Sequence, residues 1–126
     1  MAIERTIQID GQEVKLKSSA ALPRLYRIKF KRDILVDMKR LEKSYNKNQN
    51  EDKAFERLDL EIFENVAYIM AYAADRKNTP DNIYAWLDKF NSFSIYEVFP
   101  VIAEMWSDNE FCMSKQVKKR DRQLDQ

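Results

Sequence analysis

The chain has 126 residues, with 22 Lys or Arg against 21 Asp or Glu, 34% charged and 44% hydrophobic residues. That is one domain, long enough for a core and too apolar for bulk disorder. A net charge of +1 argues against a dedicated nucleic-acid binder, which carries a basic excess. With no histidine the commonest general base and metal ligand is missing. A single cysteine, Cys112, allows no internal disulfide, and a single glycine, Gly11, excludes a glycine-rich phosphate loop. No apolar run is long enough to cross a bilayer and no signal-peptide pattern opens the chain, so a cytosolic protein is expected. No enzyme, metal or cofactor is expected either.

The first element is a hairpin. In "IERTIQIDGQEVKLK" Asp10-Gly11 separates two alternating stretches, the preferred chemistry of a type I′ turn. A two-residue loop there pairs Ile9 with Gln12, Ile7 with Val14 and Arg5 with Leu16. Ile7 and Val14 then share a face that can pack on helices.

A first helix follows Pro23 and is expected to run to about Tyr45. At ~100° per residue, Lys29, Asp33, Asp37 and Arg40 share a face, which reads as the solvated side. Phe30, Ile34, Met38 and Leu41 form one apolar arc, and Leu25, Ile28 and Leu35 another. The stripe Arg24, Arg27 and Lys31 falls between them.

"NKNQNEDK" (Asn46–Lys53) reads as a loop. A second helix spans roughly Lys53 to Asp75. Its arc of about 200°, from Phe55 through Ile62, Phe63, Val66, Ile69 and Met70 to Ala73, marks it as central. Its polar side would hold Arg57, Glu61, Glu64, Tyr68 and Tyr72. Thr79 as N-cap and Pro80 at the first position would open a short third helix carrying Ile83, Trp86, Leu87 and Phe90. Ser94 with Glu97 forms a capping box, and a fourth helix runs from about Ile95 to Trp106, with Pro100 expected to kink it or shift its start. The pattern predicts a mainly α fold: about four helices in a small bundle with an N-terminal β-hairpin. Residues 1–113 form the domain and 114–126 a charged tail.

Chemistry is sparse. The carboxylate pairs Asp33/Asp37 and Glu61/Glu64 read as solvated helix faces. Carboxylate metal sites on helical bundles use Glu-x-x-His pairs, and histidine is absent. Cys112 has no base of the usual type to activate it. The basic stripe Arg24, Arg27 and Lys31 has two readings. Its stems could cover the core while its heads pair with Glu56 or Glu64, or it could dock an acidic or helical partner. Tyr68 and Tyr72, one turn apart, suit a protein interface, where Tyr is enriched, or could be covered by the tail or the fourth helix.

Three stretches carry more than this. "AALPRLYRIKFKRDIL", "FENVAYIMAYAAD" and "WLDKFNSFSIYEVFPVIAEMW", with "IDGQEVKLKSSAALPRLYR" before them, resemble tail assembly chaperones of long-tailed phages and prophages of Gram-positive bacteria. The likeness extends from about Thr6 to Trp106. It implies a protein of the host cytoplasm that binds the tape-measure protein, keeps it soluble and helps recruit tail-tube subunits, then leaves before the tail is complete. In that family a ribosomal frameshift often yields a longer form, and the present chain looks like the short one. The family assigns no individual binding residues here, so Arg24, Arg27, Lys31, Tyr68 and Tyr72 are partner-binding candidates on physical grounds alone. The partners the resemblance implies are the tape measure and the tube protein, with self-association left open and no nucleic acid or membrane expected. The rival is a small nucleic-acid-binding phage regulator using Arg24, Arg27, Lys31 and the tail.

Overall fold

Asp10 at φ 52° and Gly11 at φ 75° close a tight turn between β1 (Ile3–Ile9) and β2 (Gln12–Ser18). Positive φ at both central residues is what a type I′ turn needs. In this computed structural model, which describes residues 2–49 and 55–108, the strands pair antiparallel in the expected register: Ile9 with Gln12, Ile7 with Val14, Arg5 with Leu16. One face of the hairpin is covered. Ile9 and Leu16 are buried, and Ile7 and Val14 half-buried. β2 packs on the long helix α3 (Arg57–Ala74) and β1 on the last helix α5 (Ile95–Asp108). The turn is tied down as well. The Asp10 carboxylate accepts from the Asn91 N–H at 2.8 Å, and the Gln12 amide donates to the Lys89 carbonyl at 2.7 Å.

The fold is mainly α, as expected, but five helices are present among the described residues rather than about four. The first expected helix is two. α1 (Leu22–Phe30) stops at Lys31, whose backbone is left-handed at φ 58°, and α2 (Ile34–Gln49) begins three residues later. A new N-cap drives the restart. The Asp33 side chain accepts from the Leu35 N–H at 2.9 Å while its carbonyl accepts from Asp37, satisfying donors that an uncapped helix start would leave open. α2 also continues through Asn46–Gln49, four residues read as loop from sequence.

α3 is the hub. It touches β2, α1, α2, α4 (Ile83–Leu87) and α5. Its consecutive residues Val66, Ala67, Tyr68, Ile69, Met70 and Ala71 are all buried, which happens only when a helix is packed on several sides. It starts at Arg57, after extended Glu56 and four residues later than expected. α4 is capped by Asn82, whose side chain accepts from the Tyr84 and Ala85 N–H groups, and not by Thr79. The Thr79 hydroxyl donates instead to the Ala71 carbonyl, clasping the end of α3. α5 starts at Ile95 as expected. Pro100 sits on its exposed side and, lacking an N–H, leaves the Tyr96 carbonyl without its usual partner.

The core is ring-rich. Phe63 stacks on Phe93 with centroids 4.9 Å apart, and Trp86 meets Tyr68, Phe90 and Phe93 edge-on. Trp86 and Phe99 are buried, whereas Leu87 and Phe90 are only partly buried. No helix among the described residues is long and apolar enough to cross a membrane. Residues 109–126, including Cys112 and the 114–126 tail, lie outside the described residues.

Candidate partner-binding surface

The break between α1 and α2 decides which basic residues face outward. Because Lys31 adopts a left-handed backbone, Arg32 turns toward the protein and not along the helix line. Its guanidinium clamps the Asp37 carboxylate with Nε at 2.7 Å and Nη2 at 2.8 Å, and the buried Tyr26 hydroxyl donates to the same carboxylate at 2.7 Å. Burial pushes the Asp37 carboxyl up, but the hydrogen bonds from Arg32 and Tyr26 outweigh it and hold the group below the usual carboxylate value. Burial, reinforced by Asp37, pushes the Tyr26 hydroxyl well above the ordinary phenol value.

Lys29, Asp33, Asp37 and Arg40 therefore do not form a solvated face. Asp37 is only 2% exposed and internal, and Asp33 is a cap. Arg40 donates to Asp59 at 2.8 Å and to Glu56 at 3.0 Å, tying α2 to the start of α3. Asp59 is itself buried. Lys29 reaches the Asp81 carbonyl at 3.0 Å and lies 4.7 Å from the centre of the Tyr72 ring.

Arg24, Arg27 and Lys31 are exposed, and none of the ion pairs among the described residues includes them. Of the two sequence readings of the stripe, pairing with Glu56 or Glu64 is not seen: Glu56 is held by Arg40, and no ion pair among the described residues includes Glu64. At ~100° per residue the three basic residues share the outward side of α1 with Ile28. Ile28 is 60% exposed, and two further aliphatics, Leu35 at 41% and Val36 at 62%, stand open on the first turn of α2. Lys39 and Lys43 follow on the exposed side of that helix.

Tyr68 and Tyr72 do not belong to this surface. Tyr68 is buried between Phe30 and Trp86, with ring centres at 6.2 and 5.7 Å, and its hydroxyl donates to the Pro80 carbonyl. Burial, with Asp81 and Tyr72 adding to it, pushes its pKa up to about 12. Tyr72 is half-buried, between the Lys29 ammonium and the Arg76 guanidinium, the latter 5.3 Å from its ring centre. Among the described residues α1, and not the last helix, covers this pair, and the tail lies outside the described residues. Two tyrosines one turn apart serve here to seat α1 on α3.

No known family model, curated protein or solved structure matches this chain.

The surface is thus defined by its own residues. Sequence reasoning found Arg24, Arg27 and Lys31 but missed Ile28, Leu35 and Val36 as their exposed companions. It also missed the structural role of Arg32 and Asp37. A signal for both was present. The second apolar arc, Leu25, Ile28 and Leu35, holds two of the three exposed aliphatics, and Asp33 just before renewed apolar periodicity is an N-cap signature. A cleft of about 180 Å³ also opens between β2, α3 and α4, lined by Lys15, Asp75, Trp86 and Lys89 among others. The Asp75 carboxylate there is engaged by Asn78.

Proposed function

We propose that this protein is a phage tail assembly chaperone that binds the tape-measure protein and helps recruit tail-tube subunits during tail morphogenesis in the host cytoplasm. The observation that carries the reading is the outward side of α1 and α2, where Arg24, Arg27 and Lys31, in no ion pair among the described residues, stand among exposed Ile28, Leu35 and Val36. A tape measure is a long helical chain whose apolar faces are open before assembly. A chaperone for it needs apolar area ringed by charge, with charge speeding encounter and fixing specificity more than adding affinity. The similarity of the three sequence stretches to such chaperones points the same way.

The test is a search downstream of this gene for a very long coiled-coil reading frame, whose absence would count against the proposal, and co-expression with the protein it encodes. This chain should keep that protein soluble and co-purify with it. A downstream protein equally soluble alone, or a gel shift on DNA or RNA at micromolar protein that collapses steeply with salt, would overturn the proposal in favour of the nucleic-acid regulator.

A further inference from the structure

Between Leu22 and Lys47 the chain holds nine Lys or Arg and three Asp or Glu, although its total charge is only +1. Of the three acids, Asp37 is buried and clamped by Arg32, Glu42 is half-buried, and only Asp33 stands exposed. The α1–α2 limb is therefore a basic surface on a nearly neutral molecule, and the rest of the chain carries the balancing acid excess.

Its apolar component is aliphatic. Ile28, Leu35 and Val36 are exposed, while the limb's own rings, Tyr26, Phe30 and Tyr45, pack in or against the core. A single-stranded nucleic-acid surface offers rings on which bases stack, and a duplex-binding surface offers an uninterrupted basic patch. Three aliphatics over two helices are also too few to anchor in lipid. An interfacial helix buries a whole apolar face, and the apolar faces of α1 and α2 are already spent on Leu22, Tyr26, Ile34, Met38 and Leu41 in the core.

We infer that the outward side of α1 and α2 binds an acidic amphipathic helix, whose apolar stripe covers Ile28, Leu35 and Val36 while flanking Asp or Glu side chains meet Arg24, Arg27, Lys31 and Lys39. Arg24, Ile28 and Lys31 follow at steps of four and three to the end of α1, and Leu35 and Val36 stand exposed on the first turn of α2. The contact is smaller than a standard protein interface, so binding is micromolar and released readily. This deepens the chaperone reading by naming the chemistry of the client segment, and it rests on that reading for its biological setting.

The probe is a synthetic 20-residue amidated helical peptide with Leu at every third and fourth position and Glu on both flanks, compared with the same peptide carrying Lys flanks. Fluorescence anisotropy on the full chain should give micromolar binding of the Glu peptide and at least tenfold weaker binding of the Lys peptide. Arg24→Glu/Arg27→Glu/Lys31→Glu should reverse that preference, and Ile28→Ser/Val36→Ser should weaken both peptides at least fivefold. Lys77→Glu/Lys89→Glu, on exposed positions elsewhere, should change neither. Circular dichroism of each variant checks the fold, and the serine pair alone decides the apolar part if the triple variant unfolds. Equal affinity for the two peptides, or tighter binding to duplex DNA or to phosphatidylglycerol vesicles than to the Glu peptide, would overturn the inference. Peptide binding without capture of the downstream protein would sink the chaperone reading and leave this surface standing. Capture undiminished in both surface variants would do the reverse.

Discussion

Asp37 shows how one carboxylate can hold a turn of the chain. It takes the Arg32 fork and the Tyr26 hydroxyl together in a nearly closed space. Truncation to alanine leaves the Tyr26 hydroxyl buried without an acceptor, a loss of about 2 kcal/mol. Arg32 stays partly in solvent, so its charge is not stranded. Removing both partners of the hydroxyl contact avoids that penalty. Urea denaturation should therefore show that Asp37→Ala combined with Tyr26→Phe costs clearly less than the two single changes added together. Simple additivity would mean that the hydrogen bond contributes nothing.

The same residue sets an acid response. Its folded value lies below the ordinary 3.8, so its contribution is complete above that pH and disappears as pH falls through the folded value. Glu42 and Glu64 act with the opposite sign. Burial raises both above 4.5, with Glu61 adding to Glu64, so each favours the folded state while protonated and loses that contribution as pH climbs past 4.5. Asp37 thus contributes a limb that rises with pH below 3.8, and Glu42 and Glu64 one that falls as pH passes 4.5. Denaturation midpoints across pH 2 to about 7 check both limbs. Asp37→Asn should remove the rising limb and Glu64→Gln should flatten the falling one.

At the scale of elements, the break between α1 and α2 makes a prediction whose sign depends on it. A left-handed backbone strains any side chain with a Cβ and suits glycine after a helix end. Lys31→Gly should stabilise the protein by about 1 kcal/mol. In a continuous helix through Tyr45 the same change would cost about 1 kcal/mol, so the direction of the midpoint shift alone distinguishes the two. Asn82 is open to a similar test. Its side chain takes two N–H groups at the start of α4, and Asn82→Ala should lose about 1 kcal/mol. Thr79→Ala removes only the clasp on the Ala71 carbonyl and should cost less.

The element scale also shows where sequence patterns mislead. Tyr68 reads as polar-side from its neighbours Glu61 and Glu64, because periodicity ranks residues by an average over one face. Its burial arises from a second layer, α1, laid over that side of α3 through Phe30 and Lys29. No property of α3 alone announces that cover.

For the whole molecule, α3 is the axis on which the hairpin and the other helices close. Small residues let that happen. Ala67 and Ala71 are both buried on it, and Ala67→Leu should cost about 1–3 kcal/mol through overpacking. The ring cluster grades by depth in the same assembly. Phe99→Ala, at a fully covered ring, should lose about 3–5 kcal/mol, and Phe90→Ala, at a partly covered one, roughly half as much. Equal losses at the two positions would show that both rings are buried alike.

The hairpin, its register, the mainly α character, the central helix and the start of the last helix were legible because each rests on local chemistry: a turn that needs Asp-Gly, alternation at period two, apolar recurrence at period 3.6. Five basic residues between Arg24 and Arg32 were equally visible, but not their division of labour. Arg32 faces Asp37, Lys29 faces Tyr72, and Arg24, Arg27 and Lys31 face water. That division follows from one left-handed residue and one side-chain cap, which redirect the chain by a few residues and rotate every later side chain with it. Helix phase is a local quantity, but the choice to break it is made where burying Tyr26, Ile34 and Met38 against α3 outweighs the strain at Lys31, and that balance exists only in the folded packing.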